Sequence, residues 1–98
     1  MAKRIIVWSE NAVYELKEIL EYFNIRNKSK IYSLKLNAKI QSDLKLLLIY
    51  PEIGKNTTTL NVRAILIDNY FIFYEIKTVH IIILSVWDTR QNPERLQF

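Results

Sequence analysis

The hydrophobic pattern changes period once along this chain. Between Ala12 and Pro51 the apolar residues recur every third or fourth position, and after Val62 they come in β-rich runs with alternating faces. That change orders the fold as helices first and sheet afterwards. Ala12, Val13, Leu16, Ile19, Leu20 and Phe23 make one continuous helical face, with Ser9 as N-cap and Glu10 in the first turn, where an acid suits the positive helix end. After the polar stretch Asn24 to Lys28, Ser29 offers a second N-cap, so a helical hairpin is expected. Tyr32, Leu36, Ile40, Leu44 and Leu47 then form a second stripe, which Ile31, Leu34, Ala38 and Leu48 widen, implying a helix buried on more than one side. Pro51 and Gly54 stop it.

Lys55 to Leu60 has no periodicity and reads as a loop leaning towards extended chain. Val62–Ile67, Tyr70–Ile76 and Val79–Val86 are β-rich runs joined by Asp68-Asn69 and Lys77-Thr78, links of hairpin length, and Asp and Asn tolerate positive φ. Lys3 to Trp8, β-branched and aromatic, supplies an opening strand that must pair with something later in the chain. The expected fold is α+β: an N-terminal strand, a two-helix antiparallel hairpin, then a three-stranded antiparallel meander, all in one antiparallel sheet packed on the helices. At 98 residues, 1–98 reads as a single domain.

Composition narrows the function classes. The chain has no cysteine and one histidine, which excludes a disulfide framework and a thiolate metal site. It also has no Gly-rich phosphate loop and no paired-histidine helix, so neither a metal nor a small-molecule cofactor is expected. The apolar stretch Ile5 to Trp8 is too short for a signal peptide, and the run Ile81 to Leu84 is strand length, so a cytoplasmic protein without membrane contact is expected. The net charge of +4 is unevenly placed. Glu10, Glu15, Glu18 and Glu21 gather in the first helix against Lys17 and Arg26, while Lys28 to Lys45 holds five lysines against Asp43. The basic part admits an acidic partner, either nucleic acid or a negatively charged protein segment, and equally fits a solvated face.

Arg, Lys, Tyr, Trp and the lone histidine on or beside the meander remain as chemistry-bearing groups, able to bind phosphate or to stabilise charge during phosphodiester cleavage. Arg63 sits among Val62, Ile65, Leu66 and Ile67, where a charge needs either a function or a partner such as Glu75 or Asp88 across the sheet. His80 begins a face expected to continue through Ile82, Leu84 and Val86, a setting that more often makes a histidine structural than basic. Tyr70, Ile72, Tyr74 and Ile76 share one strand face, which for Tyr74 reads as core. Trp87, Asp88, Thr89 and Arg90 mark the strand exit, where side chains can reach solvent, which makes Arg90 the best-exposed functional candidate, with a solvated turn ending at Pro93 as the alternative.

Taken together, the strand ending in Trp8, the Ala12-to-Phe23 helix, Tyr50-Pro51-Glu52-Ile53-Gly54, Val62-Arg63-Ala64-Ile65-Leu66, Asn69-Tyr70-Phe71-Ile72-Phe73-Tyr74 and Val86-Trp87-Asp88-Thr89-Arg90-Gln91-Asn92-Pro93 resemble the RelE/ParE superfamily of type II toxin-antitoxin toxins, also known as plasmid stabilisation proteins. The resemblance implies a growth-inhibiting toxin neutralised by a cognate antitoxin, with either DNA gyrase (ParE-like) or messenger RNA on the ribosome (RelE-like) as target. RelE-like members usually carry an arginine directly after the tyrosine of the second meander strand, where this chain has Phe71, and other nuclease branches use a C-terminal histidine where it has Trp87. Arg63 and Arg90 match the ParE-like pattern, with Thr89 in place of a second basic residue. The resemblance is therefore closer to the ParE branch and leans away from an enzyme. It implies a target surface of Arg63, Trp87, Arg90 and Arg95. Were the chain instead an mRNA endoribonuclease, Arg63, Arg90, Tyr70 and His80 would be its catalytic candidates. A third reading is an inactive relative that survives as an antitoxin-binding module.

Overall fold

The computed structural model describes residues 3–90. Arg95 and the tail from Gln91, both named above, lie outside the described residues. Strand β1 (Ile5–Trp8) leads into helix α1 (Glu10–Asn27) and helix α2 (Ile31–Leu44), which a 3₁₀ turn, Lys45–Leu48, extends. Strands β2 (Lys55–Asn56), β3 (Val62–Ile67), β4 (Tyr70–Ile76) and β5 (His80–Asp88) follow. The α+β order is the expected one.

Helix α1 starts where the sequence placed it: Ser9 Oγ accepts a hydrogen bond from the Ala12 amide at 3.0 Å. The same hydroxyl donates to the Leu84 carbonyl at 3.1 Å, so the cap also ties the helix start to β5. At its other end Lys28 takes the left-handed conformation, with φ 51°. The N-cap of α2 is Lys30 rather than Ser29, whose hydroxyl accepts from the Ile31 amide. Ser33 Oγ donates to Asn24 Oδ1 across the hairpin.

Helix α2 buries one side only. Leu36, Ile40 and Leu44 are buried with Leu47 of the 3₁₀ turn, while Ile31, Leu34, Ala38 and Leu48 are exposed. The expectation of burial on more than one side is thus corrected: the helix lies in an outer layer against a single sheet, and no other described residue covers its far side.

The sheet is mixed and five-stranded, in the order β1-β5-β4-β3-β2. The β3-β4-β5 meander is antiparallel as read from the sequence, and Asp68 supplies positive φ, 52°, at its first turn. β1, however, runs parallel to β5, with the Ile5 amide donating to Val79 O and the Ser9 amide to Ile83 O. The all-antiparallel expectation fails here because alternation and length fix a strand's faces and not its direction. Lys55–Asn56, read as loop, adds an antiparallel edge strand on β3.

One sheet face carries the core. Ile67, Tyr70, Ile72, Tyr74, Ile81, Ile83 and Val86 pack against Ala12, Leu16, Leu36, Ile40, Leu44 and Leu47. A β-bulge decides which β5 residues reach it, since Tyr74 pairs with Ile83 but Phe73 with Ser85, leaving Leu84 as the extra residue. Before the bulge Ile81 and Ile83 face the helices; after it Val86 and Asp88 do, opposite Ile72 and Tyr70. The face expected through His80, Ile82, Leu84 and Val86 is therefore broken at Leu84.

Candidate functional site

Two polar assemblies sit on the helix-facing side of the sheet. The first is a clamp built from Arg63 and Tyr74, register partners on β3 and β4. The Tyr74 hydroxyl donates to the Pro51 carbonyl at 2.7 Å and accepts from the Gly54 amide at 2.9 Å. Arg63 donates through one terminal nitrogen to the carbonyls of Glu52, at 3.1 Å, and Gly54, at 2.8 Å. Burial pushes the Tyr74 phenol pKa up, which keeps the proton the Pro51 bond requires. Arg63 therefore pairs with neither Glu75 nor Asp88: it braces the Tyr50-to-Gly54 segment. Outside the clamp a groove of about 600 Å³ is lined by Ile49, Tyr50, Pro51, Glu52 and Ile53.

The second assembly lies where β5 leaves the sheet. Asp88, opposite Tyr70, accepts from the Arg90 amide at 2.9 Å and from its guanidinium twice, at 3.0 and 2.8 Å. Such a two-point fork fixes the guanidinium's plane and leaves its other edge for a ligand. Arg90 beside it holds the Asp88 carboxyl below the usual carboxylate range, and Asp88 in turn raises the Arg90 pKa. Burial, then Asp88, raises the Tyr70 phenol, so at neutral pH it can donate a proton in a hydrogen bond but is not a base. Ile19, Tyr22 and Phe23 of α1 complete a cleft of about 240 Å³ with Tyr70, Asp88 and Arg90.

A group whose folded pKa is lowered contributes stability above its unfolded value, which is lost as pH falls through the folded one. For Asp88 that loss falls below about pH 4. The carboxyl carbon of Asp88, followed by NMR, is expected to titrate below the ordinary range in the native chain and to return to it in Arg90→Ala. Equal midpoints in the two proteins would show that Arg90 does not hold the carboxylate.

The sheet separates the sequence-predicted residues. Tyr70 and Arg90 share the cleft, whereas Arg63 lies opposite Tyr74, about 13 Å further along β4. His80 and Asp88 are the two ends of β5, about 26 Å apart. Trp87 alternates with Asp88 and is half-buried on the opposite sheet face, beside Phe71. A third grouping was missed. Glu15 of α1 accepts through Oε1 from Ser85 Oγ at 2.9 Å, the Val86 amide at 3.1 Å and Asn11 Nδ2 at 3.1 Å, pinning the segment just past the bulge. Nothing in the spacing of the acids along α1 distinguishes Glu15 from its neighbours, because its partners on β5 are 70 and 71 residues away.

The family model for the ParE toxin of type II toxin-antitoxin systems, parDE, matches residues 6–93. The chain belongs to the ParE toxin family. Among solved structures, one described as the chromosomal ParDE TA system from P. aeruginosa aligns with a TM-score of 0.77 at 17% identity, covering 90% of this chain and 98% of that one, a likeness of fold. No curated protein sequence matches significantly. The match to the ParE model spans both assemblies of this toxin: the Pro51-to-Gly54 clamp and the Tyr70–Asp88–Arg90 cleft. Among the described residues, no cluster of His, Cys, Asp or Glu could hold a metal, and no helix is long and apolar enough to cross a membrane.

Proposed function

We propose that this ParE-family toxin arrests growth in the cytoplasm by binding DNA gyrase without cutting nucleic acid, and that a cognate antitoxin protein neutralises it. One observation carries the choice of binding over cleavage. General acid-base work needs its groups within hydrogen-bond reach of one reacting centre, and here Arg63, His80 and the Tyr70–Arg90 pair occupy three separate places. Arg63 is moreover engaged with two backbone carbonyls, and Tyr70 keeps its proton. Gyrase as target comes from the ParE-like pattern around Arg63 and Arg90, and the antitoxin from the toxin-antitoxin character of the family. Trp87 and Arg90 supply the contact surface in this reading, on the two sides of the β5 end, and Arg63 supports it from within.

The purified protein is expected to inhibit supercoiling of relaxed plasmid by gyrase, with Arg90→Glu weakening the effect roughly tenfold or more in protein that is still folded at the assay temperature. Normal supercoiling and undamaged DNA at saturating protein would sink the proposal. Codon-placed breaks found by primer extension on messenger RNA from expressing cells would replace it with ribosome-dependent cleavage, and harmless expression without antitoxin would leave only an antitoxin-binding module. Arg63→Glu is unsuitable for this assay because it dismantles the clamp.

A further inference from the structure

Helix α1 and the end of β5 enclose two clefts that share Ile19 and Asp88. One is the Tyr70–Asp88–Arg90 cleft described above. The other, of about 160 Å³, is lined by Tyr14, Glu15, Glu18, Ile19, Val86 and Asp88. Together they make one trough along α1 whose two halves differ in charge. In the first half donors are left over. Tyr70 is only 2% exposed, yet its hydroxyl has no hydrogen-bond partner among the described residues, where buried polar groups are normally paired. No side-chain nitrogen or oxygen among those residues is both sealed from solvent and unpaired, so the little surface that Tyr70 keeps includes its hydroxyl, and the cleft is where it opens. Arg90 spends Nε and one terminal nitrogen on Asp88, which leaves its other terminal nitrogen to donate. A phenol that keeps its proton and a guanidinium edge, lining one cleft, suit a carboxylate.

In the second half acceptors are left over. Asp88 has both oxygens on Arg90, and Glu15 is committed to β5 through Oε1. Glu18, however, is exposed and makes no ion pair with a described residue. With the Tyr14 ring in the same wall, it suits an ammonium or guanidinium group. The acids of this half also repel a ligand that is anionic throughout, a phosphate chain above all, so the trough as a whole matches a ligand carrying one charge of each sign. Glu18 and Tyr22, one from each half, lie one helical turn apart, about 6 Å along α1. Alternate residues of an extended chain share a face at about 6.8 Å, which is the same span. We propose that the trough is a bipolar site for an extended segment of gyrase, which seats a basic side chain against Glu18 and, two residues along, an acidic side chain against Tyr70 and Arg90. This rests on the gyrase reading above and adds to it the chemistry of the segment that is bound.

NMR on the full chain tests the site without gyrase, using ε-aminocaproate, whose extended chain holds an ammonium and a carboxylate at a similar span. Shifts at Ile19, Tyr70 and Arg90 are expected, with a Kd on the order of millimolar. Caproate and hexylamine, each with one of the two charges, should bind roughly tenfold more weakly or worse, and inorganic phosphate should not compete. Tyr70→Phe and Glu18→Gln remove no hydrogen bond made among the described residues, so folded protein is expected from both. Each should weaken binding of the probe, and inhibition of supercoiling, roughly threefold to tenfold. A probe that fails to bind, caproate that binds as tightly, phosphate that displaces the probe, or variants that bind it as the native chain does overturns the proposal. So do variants that inhibit gyrase normally but lose the antitoxin, since the trough would then belong to that partner. If the native chain binds the probe in the expected pattern yet leaves supercoiling untouched, the gyrase reading is what fails and the bipolar site is upheld. If it inhibits supercoiling and both variants do so equally, the gyrase reading stands and this site is refuted.

Discussion

Replacing Gly54 by alanine is expected to cost about 3 kcal/mol of stability, which for a domain of this size lowers the melting temperature by roughly 12–20 °C. Gly54 is the chain's only glycine, and its φ is not in the left-handed region, so conformational freedom is not what selects it. Close approach selects it. A Cβ built there comes within 2.6 Å of Tyr74 Oη, 2.9 Å of Tyr74 Cε1 and 2.8 Å of the Ala64 carbonyl oxygen. The first two belong to a ring that is fully buried in the core, and the third is backbone of β3, so none can yield cheaply. The segment must instead lift away, which stretches the Gly54–Tyr74 and Tyr74–Pro51 bonds and the Arg63 bond to Gly54 O.

Chemical denaturation of the variant measures the effect, and a loss under about 1 kcal/mol would mean that the segment adjusts more freely than its neighbours allow. Tyr74→Phe removes the hydroxyl alone, leaving the Gly54 amide and the Pro51 carbonyl to find new partners, at about 1–3 kcal/mol. The double variant should cost less than the sum of the two, because both break the same clamp.

The clamp also explains why Arg63 was legible as an unusual residue and not as a brace. A charge in an apolar strand announces that it has a partner, but backbone carbonyls of Glu52 and Gly54 carry no sequence signature, whereas Glu75 and Asp88 do. The helix and strand boundaries were legible for a simpler reason. The Ser9 cap and the runs Val62–Ile67 and Tyr70–Ile76 are set by local periodicity and turn chemistry, and their ends agree with the structure, whereas α1 continues to Asn27 through the polar stretch read as an interruption after Phe23. Features fixed by long-range pairing were not legible. β1 lies beside β5 although the rest of the chain separates them, Lys55–Asn56 becomes a strand only because β3 offers an edge, and the Leu84 bulge leaves no mark in the unbroken aliphatic run Ile81 to Leu84. That bulge moved Asp88 onto the helix side, and the candidate cleft with it.

Glu15 is therefore expected to matter to the cleft from a distance. Its carboxylate oxygen accepts from Ser85 Oγ, the Val86 amide and Asn11 Nδ2, and the Val86 amide lies just past the bulge, beyond Ile83, the last β5 residue that β1 pairs with. Glu15→Ala strands that amide and the 5%-exposed Ser85 hydroxyl together. The expected loss is about 2–4 kcal/mol, since hydrogen bonds to a charged acceptor contribute more than neutral ones and their donors stay buried when it is gone. Glu15→Gln retains an acceptor oxygen of the same reach and should lose less than half as much. A second consequence separates this from loss of stability alone. Val86 precedes Asp88 by two residues on the same face, so slack at the bulge should loosen the Asp88–Arg90 fork. In the folded Glu15→Ala protein the Asp88 carboxyl is expected to titrate closer to the ordinary carboxylate range. A destabilised protein whose Asp88 still titrates as in the native chain would confine the Glu15 contact to holding α1 on β5, with the cleft set by the strand end alone.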